Sequence, residues 1–116
     1  MGFSAGGELA GLASMRFNAD NRPDFQALIY PGGLARLTPV INAPPLFLLG
    51  GYADRDDISL GMAELYLNYK KKGIPAELHI YSKAGHGFGV RKNSMGAVKT
   101  WISRFYDWLD DLGMLK

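Results

Sequence analysis

Apolar positions along this chain fall into short unbroken runs that alternate with longer stretches of helical period. That alternation predicts an α/β fold, a parallel sheet of about three strands with helices on both faces. Phe25–Tyr30 reads as a strand stopped by Pro31-Gly32-Gly33, and Leu46–Leu49 is apolar throughout, as a strand buried on both faces should be. In Ala76–Tyr81, Leu78 and Ile80 alternate with Glu77, His79 and Tyr81, the pattern of an edge strand with one wetter face. A first helix is predicted from Ala5 to Met15, with Leu9, Leu12 and Ala13 on one side, although Gly6 and Gly7 in its first turn are poor helix formers. A second runs from Ser59 to Lys72, where Ser59 can cap the start and Gly73 and Pro75 end it. The last, Ser94–Leu112, lines up Val98, Trp101, Ile102, Phe105, Trp108, Leu109 and Leu112 on one stripe before Gly113 closes it.

Composition narrows this picture. At 116 residues the chain forms one domain, residues 1–116, and 47% hydrophobic with 21% charged residues is the balance of an ordinary globular core. Thirteen Lys+Arg against eleven Asp+Glu leave a net charge of +2 with no basic patch, so nucleic acid is not an expected partner. Lys70-Lys71-Lys72 falls in a helix's last turn, where cations oppose the carbonyl end of the dipole. The absence of cysteine excludes disulfides, thiolate metal sites and a cysteine nucleophile. No apolar run approaches the roughly 18 residues of a membrane span, and the N-terminus lacks a basic start and an apolar signal core. A cytoplasmic chain with no membrane partner is the expectation.

Candidate chemistry starts at Gly2-Phe3-Ser4-Ala5-Gly6, a G-x-S-x-G pattern whose glycines permit the crowded turn that presents a serine hydroxyl at a helix N-terminus. A serine hydroxyl needs an adjacent base, usually a histidine oriented by a carboxylate. His79 lies inside a strand pattern, whereas His86 lies in Ala84-Gly85-His86-Gly87-Phe88-Gly89, a loop at the C-terminal end of the third strand, where open α/β sheets keep their chemistry. The loop after the second strand offers Asp54, Asp56 and Asp57, of which Asp56 and Asp57 suit the N-terminal charge of the following helix. No metal site is expected: Asp54-Arg55-Asp56 is followed by Ile58 and not by the third oxygen ligand of a calcium loop. Ser, Asp, His is also the triad order of α/β hydrolases.

With Gly2-Phe3-Ser4-Ala5-Gly6-Gly7, Pro44-Pro45-Leu46-Phe47-Leu48-Leu49 leading to Ala53-Asp54, Ile74-Pro75-Ala76-Glu77-Leu78-His79-Ile80-Tyr81, and Gly85-His86-Gly87-Phe88-Gly89 in register, the whole chain resembles the C-terminal half of an α/β-hydrolase esterase of the acetyl-xylan-esterase-like and dienelactone-hydrolase-like group. The resemblance implies a truncated α/β-hydrolase half lacking the N-terminal strands. Its nucleophile would be Ser4, its acid Asp54, its general base His86 and one oxyanion donor the backbone N–H of Ala5. Tyr52, Phe88 and Arg91 neighbour these positions and are candidates to line the substrate. The expected activity is serine carboxylesterase hydrolysis of a small short-acyl ester without a cofactor, the acyl length argued from the small chain and the lack of a lid.

The strand that leads into Ser4 in that family is expected to be missing, as is the loop that supplies a second oxyanion N–H. Loss of one donor typically costs about 10²–10³ in turnover, so weak activity is expected. Phe25–Tyr30 should then expose a bare apolar edge, and self-association, a homo-oligomer covering that edge and the Trp101, Phe105, Trp108 stripe, is expected. The alternative is a non-catalytic remnant that keeps the triad residues and acts as an oligomeric structural or binding module.

Overall fold

The apolar runs pair into a single parallel sheet of four strands in the order β1-β2-β3-β4: β1 Gly2–Phe3, β2 Gln26–Ile29, β3 Leu46–Gly51 and β4 Ala76–Tyr81. The computed structural model describes residues 1–116. Leu28 pairs with both Gly2 and Leu48, and Leu48 with Leu78, so side chains alternate in phase across the sheet. Every residue of β2 and β3 is buried, which explains their continuous apolarity.

Helices cover both faces. α1, Ala5–Ala13, and α2, Asp56–Lys71, pack on the face of Leu28, Leu48 and Gly50. α3, Trp101–Asp111, crosses the other face, where Phe105 and Trp108 lie 5.2 and 5.5 Å from the Phe47 ring. Burying side chains of this size contributes about 2–3 kcal/mol each relative to exposure. Trp101 and Trp108 are almost fully buried, so the aromatic stripe is spent inside this chain and is not a surface left for a second copy to cover.

Several boundaries differ from the sequence reading. Gly2 and Phe3 form a short strand against Leu28 and Ile29, so a strand does lead into Ser4 and the C-terminal half of β2 is not bare. α2 begins three residues before Ser59, because Arg55 takes the capping position and Asp56 and Asp57 occupy the first turn; the Ser59 hydroxyl instead donates to the Arg55 carbonyl. The helix pattern from Ser94 breaks into a 3₁₀ turn, Gly96–Thr100, before α3, since Gly96 adopts a left-handed φ of 69°. Ile102 points to solvent despite its place in the stripe. β4 is an edge strand as its pattern predicted, yet its wettest residue is Ile80, because Glu77, His79 and Tyr81 share the face that α3 crosses. No helix is long and apolar enough to cross a membrane.

Candidate active site

The turn between β1 and α1 puts Ser4 at φ 51°, ψ −118°, a conformation L-residues rarely adopt. Backbone bonds brace it on both sides: the Ser4 amide donates to the Ile29 carbonyl at 2.9 Å, and the Ser4 carbonyl accepts from Gly32 and Glu8 at 3.1 Å each. The first glycine of the motif is required sterically, since a Cβ at Gly2 would stand 2.0 Å from the Gly6 carbonyl oxygen. Gly7 faces Pro31 just as closely as its own carbon allows, with a Cβ there 3.0 Å from the Pro31 Cβ. The amides of Ala5, Gly6 and Gly7 have no acceptor within the chain, so the N-terminus of α1 presents free donors beside the Ser4 hydroxyl.

Asp54 ends the turn after β3, and its carboxyl is 2% exposed. One oxygen accepts from the Arg55 amide at 2.7 Å, and the other lies 2.7 Å from His86 Nδ1. Ser4 Oγ is 2.8 Å from His86 Nε2. With the imidazole proton on Nδ1, the ring donates to Asp54 and leaves Nε2 to accept from the serine. One hydrogen-bonded chain thus joins residues 4, 86 and 54 across three loops on the C-terminal rim of the sheet. The acid and base loops touch directly: the Ala53 amide donates to the Ala84 carbonyl at 2.9 Å, an approach possible because Gly51 has no Cβ, which would stand 2.1 Å from that oxygen.

Asp56 and Asp57 do not join this chain. They sit in the first turn of α2, and a hydrogen-bonded ion pair with Arg55 holds the Asp57 carboxyl below its usual range. A cavity of about 190 Å³ opens beside Ser4, lined by Gly32, Asp54, Arg55, Ile58 and His86. Tyr52, Phe88 and Arg91 do not line it. Tyr52 is solvent-exposed, Phe88 packs edge-on against Tyr30 at 4.9 Å, and the Arg91 guanidinium donates to the Gly87 carbonyl.

Tyr30 is the neighbour that sequence reasoning missed. Its ring lies 4.8 Å from the His86 ring, its hydroxyl accepts from the Gly89 amide at 3.1 Å, and burial pushes its phenol above the ordinary value. Its signal was available: an aromatic residue at the very C-terminal end of a strand, just before Pro31-Gly32-Gly33.

A parallel sheet with helices on both faces, a strained serine turn after one strand and a His-Asp pair on loops from the same rim define an α/β hydrolase. The profile of the prolyl oligopeptidase family matches residues 21–114, and the chain belongs to that family. Among solved structures, the acetyl ester-xyloside bifunctional hydrolase from Caldicellulosiruptor lactoaceticus is similar over 99% of this chain and 56% of its own, at 28% identity and a TM-score of 0.83. A thermophilic esterase from Thermogutta terrifontis (23% identity, TM-score 0.74, 98% of this chain and 55% of its own) shares the fold. So does a carboxylesterase from Lactobacillus plantarum (16% identity, TM-score 0.74, 99% and 58%). The chain therefore spans little more than half the length of these structures. No protein with a curated description matches it.

Proposed function

We propose that the chain carries the catalytic residues of a serine ester hydrolase acting on small acyl esters. The observation that carries this reading is the continuous hydrogen-bonded chain from Ser4 through His86 to the buried Asp54 carboxyl. Ser4 Oγ attacks the acyl carbonyl carbon while His86 Nε2 takes the hydroxyl proton, and Asp54 orients the ring and stabilises the imidazolium. The carbonyl oxygen becomes an oxyanion facing the Ala5 amide at the head of α1. The intermediate collapses by breaking the bond to the alcohol oxygen, which leaves with the proton from His86, and an acyl-serine remains. Water, activated by the same imidazole, then attacks the acyl carbon and releases the acid.

The small cavity beside Ser4 supports short acyl groups, and the likeness to the Caldicellulosiruptor hydrolase supports ester substrates. The test is hydrolysis of p-nitrophenyl acetate, p-nitrophenyl butyrate and a peptide p-nitroanilide by the wild type and by Ser4→Ala. The expected result is ester turnover, faster with acetate, that falls by roughly 10³-fold or more in Ser4→Ala. Equal rates in the two proteins would overturn the nucleophile and favour the non-catalytic module, and faster anilide than ester cleavage would move the substrate class to peptides.

A further inference from the structure

His86 is the least supported member of the site. Its imidazole is 41% exposed, its loop carries Gly85, Gly87 and Gly89, and Gly87 and Gly89 adopt left-handed φ values of 79° and 53°. Such a segment has more conformational freedom to lose than any other composition, so something outside it must set where the ring stands.

Two buried side chains on different elements do so at a single residue. The Gly89 amide donates to the Tyr30 hydroxyl at 3.1 Å, and the Trp101 indole N–H donates to the Gly89 carbonyl at 2.8 Å. Both polar groups of one loop peptide unit pair are thereby fixed to the sheet and to α3. The anchors are themselves rigid: Tyr30 is 4% exposed and Trp101 1%. Tyr30 is also held at φ 36° by the bond from its amide to the Leu49 carbonyl, a conformation that an aromatic residue adopts only under external constraint. The Tyr30 ring then packs against the His86 and Phe88 rings. Phe3, the residue before Ser4, touches both anchors, 6.0 Å from Tyr30 and 6.1 Å from Trp101 between ring centroids. The nucleophile's strand and the base's loop thus take their spacing from one aromatic frame.

We propose that Tyr30, together with Trp101, is a positioning residue for His86, acting through Gly89 to hold Nε2 within reach of Ser4 and Nδ1 within reach of Asp54. The proposal rests on the reading of these three residues as a hydrolytic triad. A packing role alone would be met by phenylalanine at position 30, so the hydroxyl is the part under test.

Tyr30→Phe keeps the ring and removes only the acceptor of the Gly89 amide. Two readouts decide the matter, with ester kinetics and the thermal midpoint measured beside them. One is the rate at which a fluorophosphonate labels Ser4, a reaction in which Oγ bonds to phosphorus, fluoride leaves and His86 takes the proton. The other is the NMR resonance of the His86 Nδ1 proton, assigned by its loss in Asp54→Asn. The expected result is labelling about tenfold slower, since displacement of a catalytic group by a fraction of an ångström to 1 Å costs factors of this order, with the Nδ1 resonance broadened by exchange. Ester turnover should lose kcat and keep KM, while the thermal midpoint stays near the wild type. Trp101→Phe, which removes the other bond to Gly89, should repeat the broadening. Wild-type labelling and an unmoved resonance in Tyr30→Phe would overturn the positioning role and leave the hydrolase reading standing. An unlabelled wild type would overturn the hydrolase reading, and the resonance alone would then decide whether Tyr30 holds the ring.

Discussion

The two glycines of Gly2-Phe3-Ser4-Ala5-Gly6 look equivalent in the motif and are not equivalent in space. A Cβ at Gly2 would collide with the Gly6 carbonyl, whereas a Cβ at Gly6 would meet nothing within 4 Å. Gly2→Ala is therefore expected to distort the Ser4 turn and lower both stability and activity. Gly6→Ala adds a better helix former to α1 and should raise stability by up to about 1 kcal/mol. Urea denaturation of the two variants checks this, and equal effects of the same sign would contradict the steric account. Ser4 and His86 were legible as residues, while the choice of Asp54 over Asp56 and Asp57 rested on the family resemblance. Tyr30 was visible as an aromatic residue at a strand end, but its part was not, because that depends on a hydroxyl meeting the amide of Gly89, 59 positions away in the chain.

At the scale of elements, α2 is tied to β2 by a polar contact inside the core. The Tyr69 hydroxyl meets the Gln26 side-chain amide, and burial pushes the Tyr69 phenol up to about 12. The folded chain therefore keeps its phenolic proton at a pH where the unfolded chain, with an ordinary value near 10, has lost it. Between those values the native state binds more protons than the unfolded one, so stability is full below about pH 10 and falls as the pH rises toward 12. Tyr30 and Tyr81 are raised by burial as well and act in the same direction. Urea midpoints measured across this range should decline in the wild type and decline less in Tyr69→Phe; an identical slope in both would refute the assignment. The existence of β2, β3, β4 and the three helices followed from period, β4 to the residue, whereas the two-residue β1 is too short to show one. The helix boundaries did not follow from it, because Arg55 starts α2 ahead of the better capping residue Ser59 and Gly96 turns the chain before α3.

The whole molecule has two sheet edges, β1 and β4, and β1 has no strand on its outer side. Leu9, on the helix that follows β1, is 69% exposed. An unpaired edge beside exposed apolar surface accepts another strand, and we propose that these 116 residues by themselves pair this edge with a second copy. Light scattering should report a mass above that of one chain at micromolar concentration, and a stable monomer there would overturn the expectation. The aromatic stripe that the sequence also suggested has no part in this: Phe105 and Trp108 pack on Phe47 and Phe25, and Trp101 packs on Phe3. What the sequence by itself determined is local: the three longer strands, the helical stretches, a serine at a helix start, and a histidine and an aspartate in loops at strand C-termini. These follow from hydrophobic period and from glycine and proline punctuation, which are short-range properties. Only the tertiary structure decided that His86 reaches Ser4 and Asp54, that Gly51 lets the acid and base loops touch, and that Tyr30 and Trp101 grip Gly89. Those are meetings of residues far apart in the chain, and the register of the parallel sheet sets them, not the pattern of any one segment.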